Sequence, residues 1–303
     1  MKALKYPCLV KPLPLTKIWG GSALALEWQK PFSPQDLVGE SLEFSILPSD
    51  PAKNSCIENG DYAGTPFSEL LPLWGIPSPF PLVIKLLEAR ERLSLQNHPP
   101  EDKAQQFPGK TEAWYILNAL PGAFVYKGFS QEVTPLQVRQ ALKEGKIETL
   151  LEKIEVQSGD FLYISAGTIH AIGAGITLLE VQQRPQITYR ISDWGRIEDA
   201  TQPRPLHLEE ALAVLKCSQE SQRIEVPLEK ESFVCPYFQV SKFQTADLTL
   251  KTRHPWMILF QISGKSEFPS KLSLQRGQTL FIPRSEISFV NEGELLQIQL
   301  PEE

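Results

Sequence analysis

Two of the four histidines in the chain stand in company that suits chemistry. Gln96-x-His98 places two metal-ligand candidates on one face of an extended segment, because side chains two apart along a strand point the same way. Lys110 and Glu112, two residues before Trp114, share a face for the same reason. His170 closes a G-x5-S-A-G-x2-H block that starts at Gly159 and sets the histidine just after a glycine turn. A Gln, His, Glu, His set brought together across a β-structure offers two imidazoles, one carboxylate and one neutral amide oxygen. That donor set suits zinc or another divalent transition ion. For QxH by itself the competing reading is a satisfied core or surface histidine.

Further along, Glu180 shares a strand face with Leu178, Gln182 and Arg184, and Arg190 shares one with Thr188 and Ser192. Charges on interior faces are costly without a partner or a function. They read either as a structural Glu180–Arg190 ion pair or as reacting groups.

The elements that must position these residues are short strands joined by turns. Proline accounts for 26 of 303 residues, well above the usual share of about 5%, and each one removes a backbone donor, which argues against a helical bundle. Residues 81–87 (PLVIKLL) and 92–98 (RLSLQNH) read as strands, the second putting Ser94, Gln96 and His98 on one face. Residues 114–122 read as a strand and turn. Thr134 followed by Pro135 is a helix start, and LQVRQALKEG has helical spacing that ends at Gly145. Residues 147–156 read as a second short helix, and 206–217 as a further helix with Ala211, Leu212 and Leu215 on its apolar side.

A weak internal repeat follows. WMILFQISG (256–264) matches WYILNALPG (114–122) at its Trp, Ile, Leu and Gly, and GQTLFIPRS (277–285) resembles GDFLYISAG (159–167) in the same order. Length alone allows one large domain or two modest ones. The repeat suggests two related β-units: residues 1–225, enlarged by a helical insertion near 130–155, and residues 226–303. The second unit carries Ser285 and Ser288 where the first has Gly167 and His170, and it has no QxH, so it should be structural.

The formal net charge is -6, with no block of five or six like charges, so neither a nucleic-acid arm nor a membrane patch is expected. A small anion can still be held by a pocket that is positive inside an acidic protein. Cys8, Cys56, Cys217 and Cys235 are widely spaced and read as reduced thiols. With no apolar run near the 18 residues of a membrane helix, a soluble, cytoplasmic monomer is expected.

The block ending at His170 resembles the second cupin motif, with Ser165 in place of the usual proline. More specifically, KIWGGSAL, GESLEFS, PLVIKLLEARERLSLQNHP, GKTEAWYIL and ISAGTIHAIGAGITLLEVQQRPQITYRISDWGR, spanning residues 17 to 196, resemble the short bacterial form of the type I phosphomannose isomerases. Leu42, where the family often has Trp, and Pro100, where it often has an acidic residue, are departures that touch no ligand. The resemblance implies a mainly β fold of two cupin-type β-barrel (jelly-roll) units. It also implies one zinc ion per chain on Gln96, His98, Glu112 and His170. Lys110 and Arg190 would face the substrate, Glu180 would transfer protons, and Ser94 and Lys85 would assist the phosphate. The implied reaction interconverts mannose 6-phosphate and fructose 6-phosphate through a metal-stabilised cis-enediol. Lys110 or a zinc-bound water are the other candidates for the proton step. Two other classes remain at this stage: a cupin that only binds a sugar phosphate, and a metal-dependent oxygenase. Lys110, Glu180 and Arg190 beside a full ligand set argue against the first, and a set with one Gln and one Glu argues against the second.

Overall fold

Alternation along three strands sets the architecture of the computed structural model, which describes residues 4–102, 109–184, 187–196, 203–219 and 232–302. In Leu82–Ala89, the side chains of Leu82, Ile84 and Leu86 enter one core and those of Leu87 and Ala89 another. Glu112–Ala119 divides the same way, with Ala113, Tyr115 and Leu117 on one side and Trp114 and Ile116 on the other. In Ile176–Gln183, Leu179 and Val181 oppose Ile176 and Leu178. All eight residues of Leu82–Ala89 are buried, as a strand covered on both faces requires.

These strands lie in a six-stranded antiparallel sheet, ordered Phe161–Ile164, Glu112–Ala119, Ile176–Gln183, Leu82–Ala89, Val38–Phe44, Leu13–Gly21. A five-stranded sheet packs on its inner face, ordered Tyr189–Ser192, Leu95–Asn97, His170–Ile172, Phe124–Phe129, Leu151–Glu155. Val125, Ile154 and Ile172 from the smaller sheet meet Trp114, Ile116, Leu162 and Leu178 from the larger one. The unit is thus a β-sandwich of the jelly-roll kind, in line with the mainly β reading. Along its inner face the apolar series gives way to polar groups at one end: Leu87 to Lys85, Leu178 to Glu180 and Gln182, Trp114 to Glu112. Strand register sets Glu180 opposite Lys85 and Trp114, and Gln182 opposite Glu112.

The helical insertion is smaller than the sequence pattern suggests. Thr134 forms a full capping box with Gln137, and the helix Pro135–Lys143 ends before Gly145, whose φ is +69°. Residues 147–156 are not a second helix. A single 3₁₀ turn, Ile147–Thr149, leads into the strand Leu151–Glu155, which pairs with Phe124–Phe129. Ile154 and Val156 enter the core while Lys153 and Glu155 stay exposed, a period of two that tertiary pairing exploits over helical propensity. The helix expected over 206–217 is confined to Leu208–Ala213, with Ala211 buried and Leu212 and Leu215 packed partly against the same core. The ladder expected over 92–98 is regular only at Leu95–Asn97.

A nine-stranded sheet forms the rest of the molecule. The repeat noted in the sequence is visible in it: Met257–Glu267 pairs with Thr279–Ile282 as Glu112–Ala119 pairs with Phe161–Ile164, with the register displaced. The boundary expected near residue 225 lies outside the described residues. Cys8–Lys11 pairs with Thr279–Ile282 and with Cys56–Ile57, so the beginning of the chain supplies strands to this second sheet. Aromatic rings lock the two units together, with Phe44 stacked on Phe281 at 5.0 Å and Phe80 against Trp256 at 4.5 Å. Within the same contact Glu43, 1% exposed, takes a charge from Lys30 at 2.6 Å and hydrogen bonds from Ser41 Oγ at 2.6 Å and Thr279 Oγ1 at 2.8 Å. Lys30 also donates to the Gly277 carbonyl.

Lys30→Met would leave the Glu43 carboxylate buried without its counter-ion. Denaturant unfolding should show a loss of about 3–5 kcal/mol. A change below about 1 kcal/mol would mean the ion pair does not hold the units together.

Candidate metal centre and active-site cavity

Six strands deliver the polar end of the sandwich. His170, first residue of His170–Ile172, lies across from Gln96 in the antiparallel ladder, and Arg190 lies across from Gln96 on the other side. The turn before His170 depends on Gly167, whose φ of +87° favours glycine. A Cβ there would come within 2.7 Å of the Val214 carbonyl, and the Gly167 N–H donates to the His98 carbonyl at 2.7 Å. That bond ties the His170 turn to the end of the Gln96–His98 segment.

His98, Glu112 and His170 converge, with ligand atoms all within 4.8 Å of one another. His98 Nε2 lies 3.2 Å from one Glu112 oxygen and His170 Nε2 lies 3.4 Å from the other. Each ring is aimed from behind: His98 Nδ1 donates to the Ile187 carbonyl at 2.8 Å and His170 Nδ1 to the Thr168 carbonyl at 2.9 Å. This backing leaves both Nε2 lone pairs facing the carboxylate, the arrangement that metal-binding imidazoles require. Gln96 completes the set, its amide nitrogen 3.2 Å from His170 Nε2. Turning the amide over presents its oxygen instead, an exchange that leaves the shape unchanged. Glu112 has no exposed surface, and neither of its oxygens accepts a well-directed hydrogen bond among the described residues. A buried carboxylate in that condition, facing two imidazoles and an amide, fits a divalent cation.

Electrostatics agree with that fit. Burial, followed by the nearby Lys110 ammonium, pushes His98 down to about 3, so the ring is the neutral species a metal needs. Burial pulls the Glu112 carboxyl up, but Lys110, His98 and His170 outweigh it and hold it well below the usual carboxylate range. Lys110 Nζ stands 2.8 Å from Glu112 and 3.0 Å from His98 Nε2, as the shared strand face predicts.

Beside this centre runs a line of alternating charge. Lys17 meets Glu40 at 3.3 Å, Lys85 lies 3.8 Å from Glu40, and Lys85 lies 3.2 Å from Glu180. Trp114 Nε1 donates to the other Glu180 oxygen at 3.3 Å. Burial and then the charge of Glu112 push the Glu180 carboxyl above its ordinary value, against the opposing pull of Lys85 and Lys110. The Glu180–Arg190 ion pair considered from sequence does not form. Lys85 takes Glu180, and Arg190 Nη1 donates to the Pro205 carbonyl at 2.9 Å.

A cavity of about 340 Å³ opens onto these groups, and Lys85, Ser94, Gln96, Lys110, Glu180 and Arg190 all lie in its wall. His98, Glu112 and His170 are at most 1% exposed and stand next to Lys110 and Gln96. Lys85, expected at the phosphate, is itself 6% exposed and sits between two carboxylates. Ser94 Oγ donates to the Gln96 amide oxygen at 3.3 Å. Sequence reasoning missed Lys17, Glu40, Lys53 and Arg204, which also line the cavity. Lys17 and Glu40 fall in KIWGG and GESLEF, segments read only for their similarity. For Arg204, no spacing rule reaches it. Of the remaining histidines, His207 precedes the helix Leu208–Ala213, and His254 contacts the Pro301 carbonyl in the other unit.

A mannose-6-phosphate isomerase of Streptococcus mutans is 33% identical over 298 residues, covering 92% of this chain and 93% of that relative. The mannose-6-phosphate isomerase ManA of Bacillus subtilis is 31% identical over 311 residues, covering 95% and 96%. The crystal structure of the mannose 6-phosphate isomerase from Bacillus subtilis superposes with a TM-score of 0.85 at 27% identity, over 97% of this chain and 99% of that one. No protein-family model matches the chain.

Equilibrium dialysis against a divalent metal should separate the roles of the two neighbours of Glu112. His170→Ala should weaken metal binding by more than about 10-fold, and Lys110→Ala should retain it. Equal metal affinity in His170→Ala and the parent protein would remove the histidine from the ligand set.

Proposed function

The chain belongs to the mannose-6-phosphate isomerase family, and on that premise we propose that it interconverts D-mannose 6-phosphate and D-fructose 6-phosphate through a cis-enediol. The observation that carries this reading is the meeting, in one cavity, of a raised carboxyl, an ammonium and a guanidinium beside the Gln–His–Glu–His set. Gln96, His98, Glu112 and His170 would hold one zinc ion per chain, a donor set with the borderline character zinc favours. When bound it supplies Lewis acidity toward the sugar oxygens at the reacting carbons.

The remaining steps belong to side chains of this chain. Glu180 takes the proton from C2 of the open-chain aldose. The electron pair of that C–H bond becomes the C1–C2 double bond, and negative charge moves to O1. Lys110 and Arg190 donate toward the developing charge, where fixed cationic donors in a dry site are most effective. A proton is then gained at O1 and lost from O2, and Glu180 returns its proton to C1 to give the ketose. Burial suits Glu180 to this cycle, since a raised carboxyl exchanges protons more evenly near neutral pH. Trp114 and Lys85 hold the carboxylate in place. Ser94 supports the Gln96 amide, and Lys85, one of the cavity cations, adds positive potential for a phosphorylated substrate.

The enzyme works as a cytoplasmic monomer, residues 1–225 forming the catalytic unit and 226–303 the supporting one. Its four cysteines are free thiols, which suits a reducing compartment. No helix among the described residues is long and apolar enough to cross a membrane.

A coupled assay for fructose 6-phosphate should give turnover that chelation abolishes and added zinc restores. No turnover from folded, zinc-loaded protein would overturn the reading in favour of a sugar-phosphate binder. Glu180→Gln should lower kcat by about 10²- to 10⁴-fold with metal content unchanged. Parental turnover in that variant would remove Glu180 from the proton step.

A further inference from the structure

Arg190 is not the only guanidinium in the cavity wall: Arg204 lies there as well. Arg204 is held from behind by Asp193, a carboxylate whose side chain is 5% exposed. Nε and Nη2 of Arg204 donate to the two Asp193 oxygens at 2.7 Å and 2.5 Å, a side-on fork that fixes the plane of the guanidinium. Arg196 donates to the same carboxylate at 2.6 Å, with its other end on the Arg92 carbonyl. Asp193 thus accepts hydrogen bonds from both guanidinium groups. Arg204 belongs to the wall of the cavity, whereas Arg196 does not.

Backbone pairing sets Arg204 beside Arg190. The His207 N–H donates to the Arg190 carbonyl at 2.8 Å, and the Arg190 N–H donates back to His207 Nδ1 at 3.2 Å. Arg190 Nη1 reaches the Pro205 carbonyl, next to Arg204 in the chain. Two planar guanidinium groups are thus presented on one stretch of wall. Lys85 and Lys110 also lie in this wall, beside Glu180 and Glu112. Planar forks of this kind match the paired oxygens of a phosphate dianion better than a point ammonium does.

We propose that Arg204, oriented by Asp193, is the anchor for the phosphate of the sugar phosphate, and that Asp193 is a positioning residue for it. The proposal rests on the sugar-phosphate reading above. It makes Arg204 a specificity determinant, since the phosphate distinguishes the substrate from a free hexose.

The test uses the zinc-loaded full chain, steady-state kinetics with mannose 6-phosphate, and calorimetric binding of inorganic phosphate. Arg204→Ala should raise KM and the phosphate Kd by about 10- to 100-fold while kcat stays within about threefold. Arg204→Lys keeps the charge but loses the fork, and should recover only part of the affinity. Asp193→Asn should raise KM in the same direction. Arg139→Lys, at a guanidinium that pairs with Glu209 outside the cavity wall, should leave KM and phosphate binding unchanged. If Asp193→Asn fails to fold, Arg204→Lys decides the role of the fork. KM and phosphate Kd in Arg204→Ala within about twofold of the parent would overturn the proposal, as would an equal loss in Arg139→Lys. Absence of turnover in the parent protein would sink the isomerase reading alone, because the phosphate-binding comparison still decides the role of Arg204.

Discussion

The Glu112 carboxylate is charged and wholly buried, and the site is organised around that constraint. An isolated charge in such a place is strongly unfavourable, so cationic and metal-binding partners must be brought within a few ångströms. Lys110, His98 and His170 meet that need, and each arrives on a different element. Burial and the Lys110 ammonium keep His98 neutral, and a backbone carbonyl behind each ring fixes its orientation. A site with this balance is matched to a divalent cation.

Holding those groups still is the task of the surrounding sheets. The strands that carry Lys85, Glu112 and Glu180 are covered on both faces, by the smaller sheet inside and by the aromatic core shared with the C-terminal unit outside. Close packing on both sides leaves little room for the strands to slide, and a slip of one residue would turn Glu112 and Glu180 to the wrong face. The C-terminal unit packs against these strands from outside. Phe281 and Trp256 press on the ring of Phe44 or Phe80, whose strands and loops border the catalytic sheet, and Glu43 joins the two units through Lys30 and Thr279. Residues 8–11 lie in that second sheet as well.

The charge line from Lys17 through Glu40 and Lys85 to Glu180 links stability to chemistry. Glu40 is half-buried and Glu180 buried, each beside a lysine, yet the balance differs: Glu40 is held below its ordinary value, while Glu180 is raised by burial and by Glu112. One carboxyl is thereby favoured in its charged form and the other is pushed toward its protonated form. Environment, not residue type, makes that distinction.

Local pattern determined a good deal of this protein. Two-residue spacing placed Gln96 with His98 and Lys110 with Glu112, the Thr134–Pro135 start marked a helix, and the Gly159–His170 block put a histidine after a turn. These features depend on neighbours within a few residues, so they are legible without the fold. The segment 147–156 was misread because its apolar residues satisfy a helical and an alternating pattern alike, and only pairing with Phe124–Phe129 chooses between them. Glu180 was found, but its partner was not, since the register with Leu82–Ala89 sets Lys85 opposite it across almost a hundred residues of chain. Lys17, Glu40 and Arg204 likewise acquire meaning only in the cavity wall. Sequence alone determined which side chains share a strand face. Tertiary structure decided which charges meet, because Coulomb interaction depends on distance in space and the register of strands far apart in sequence fixes that distance.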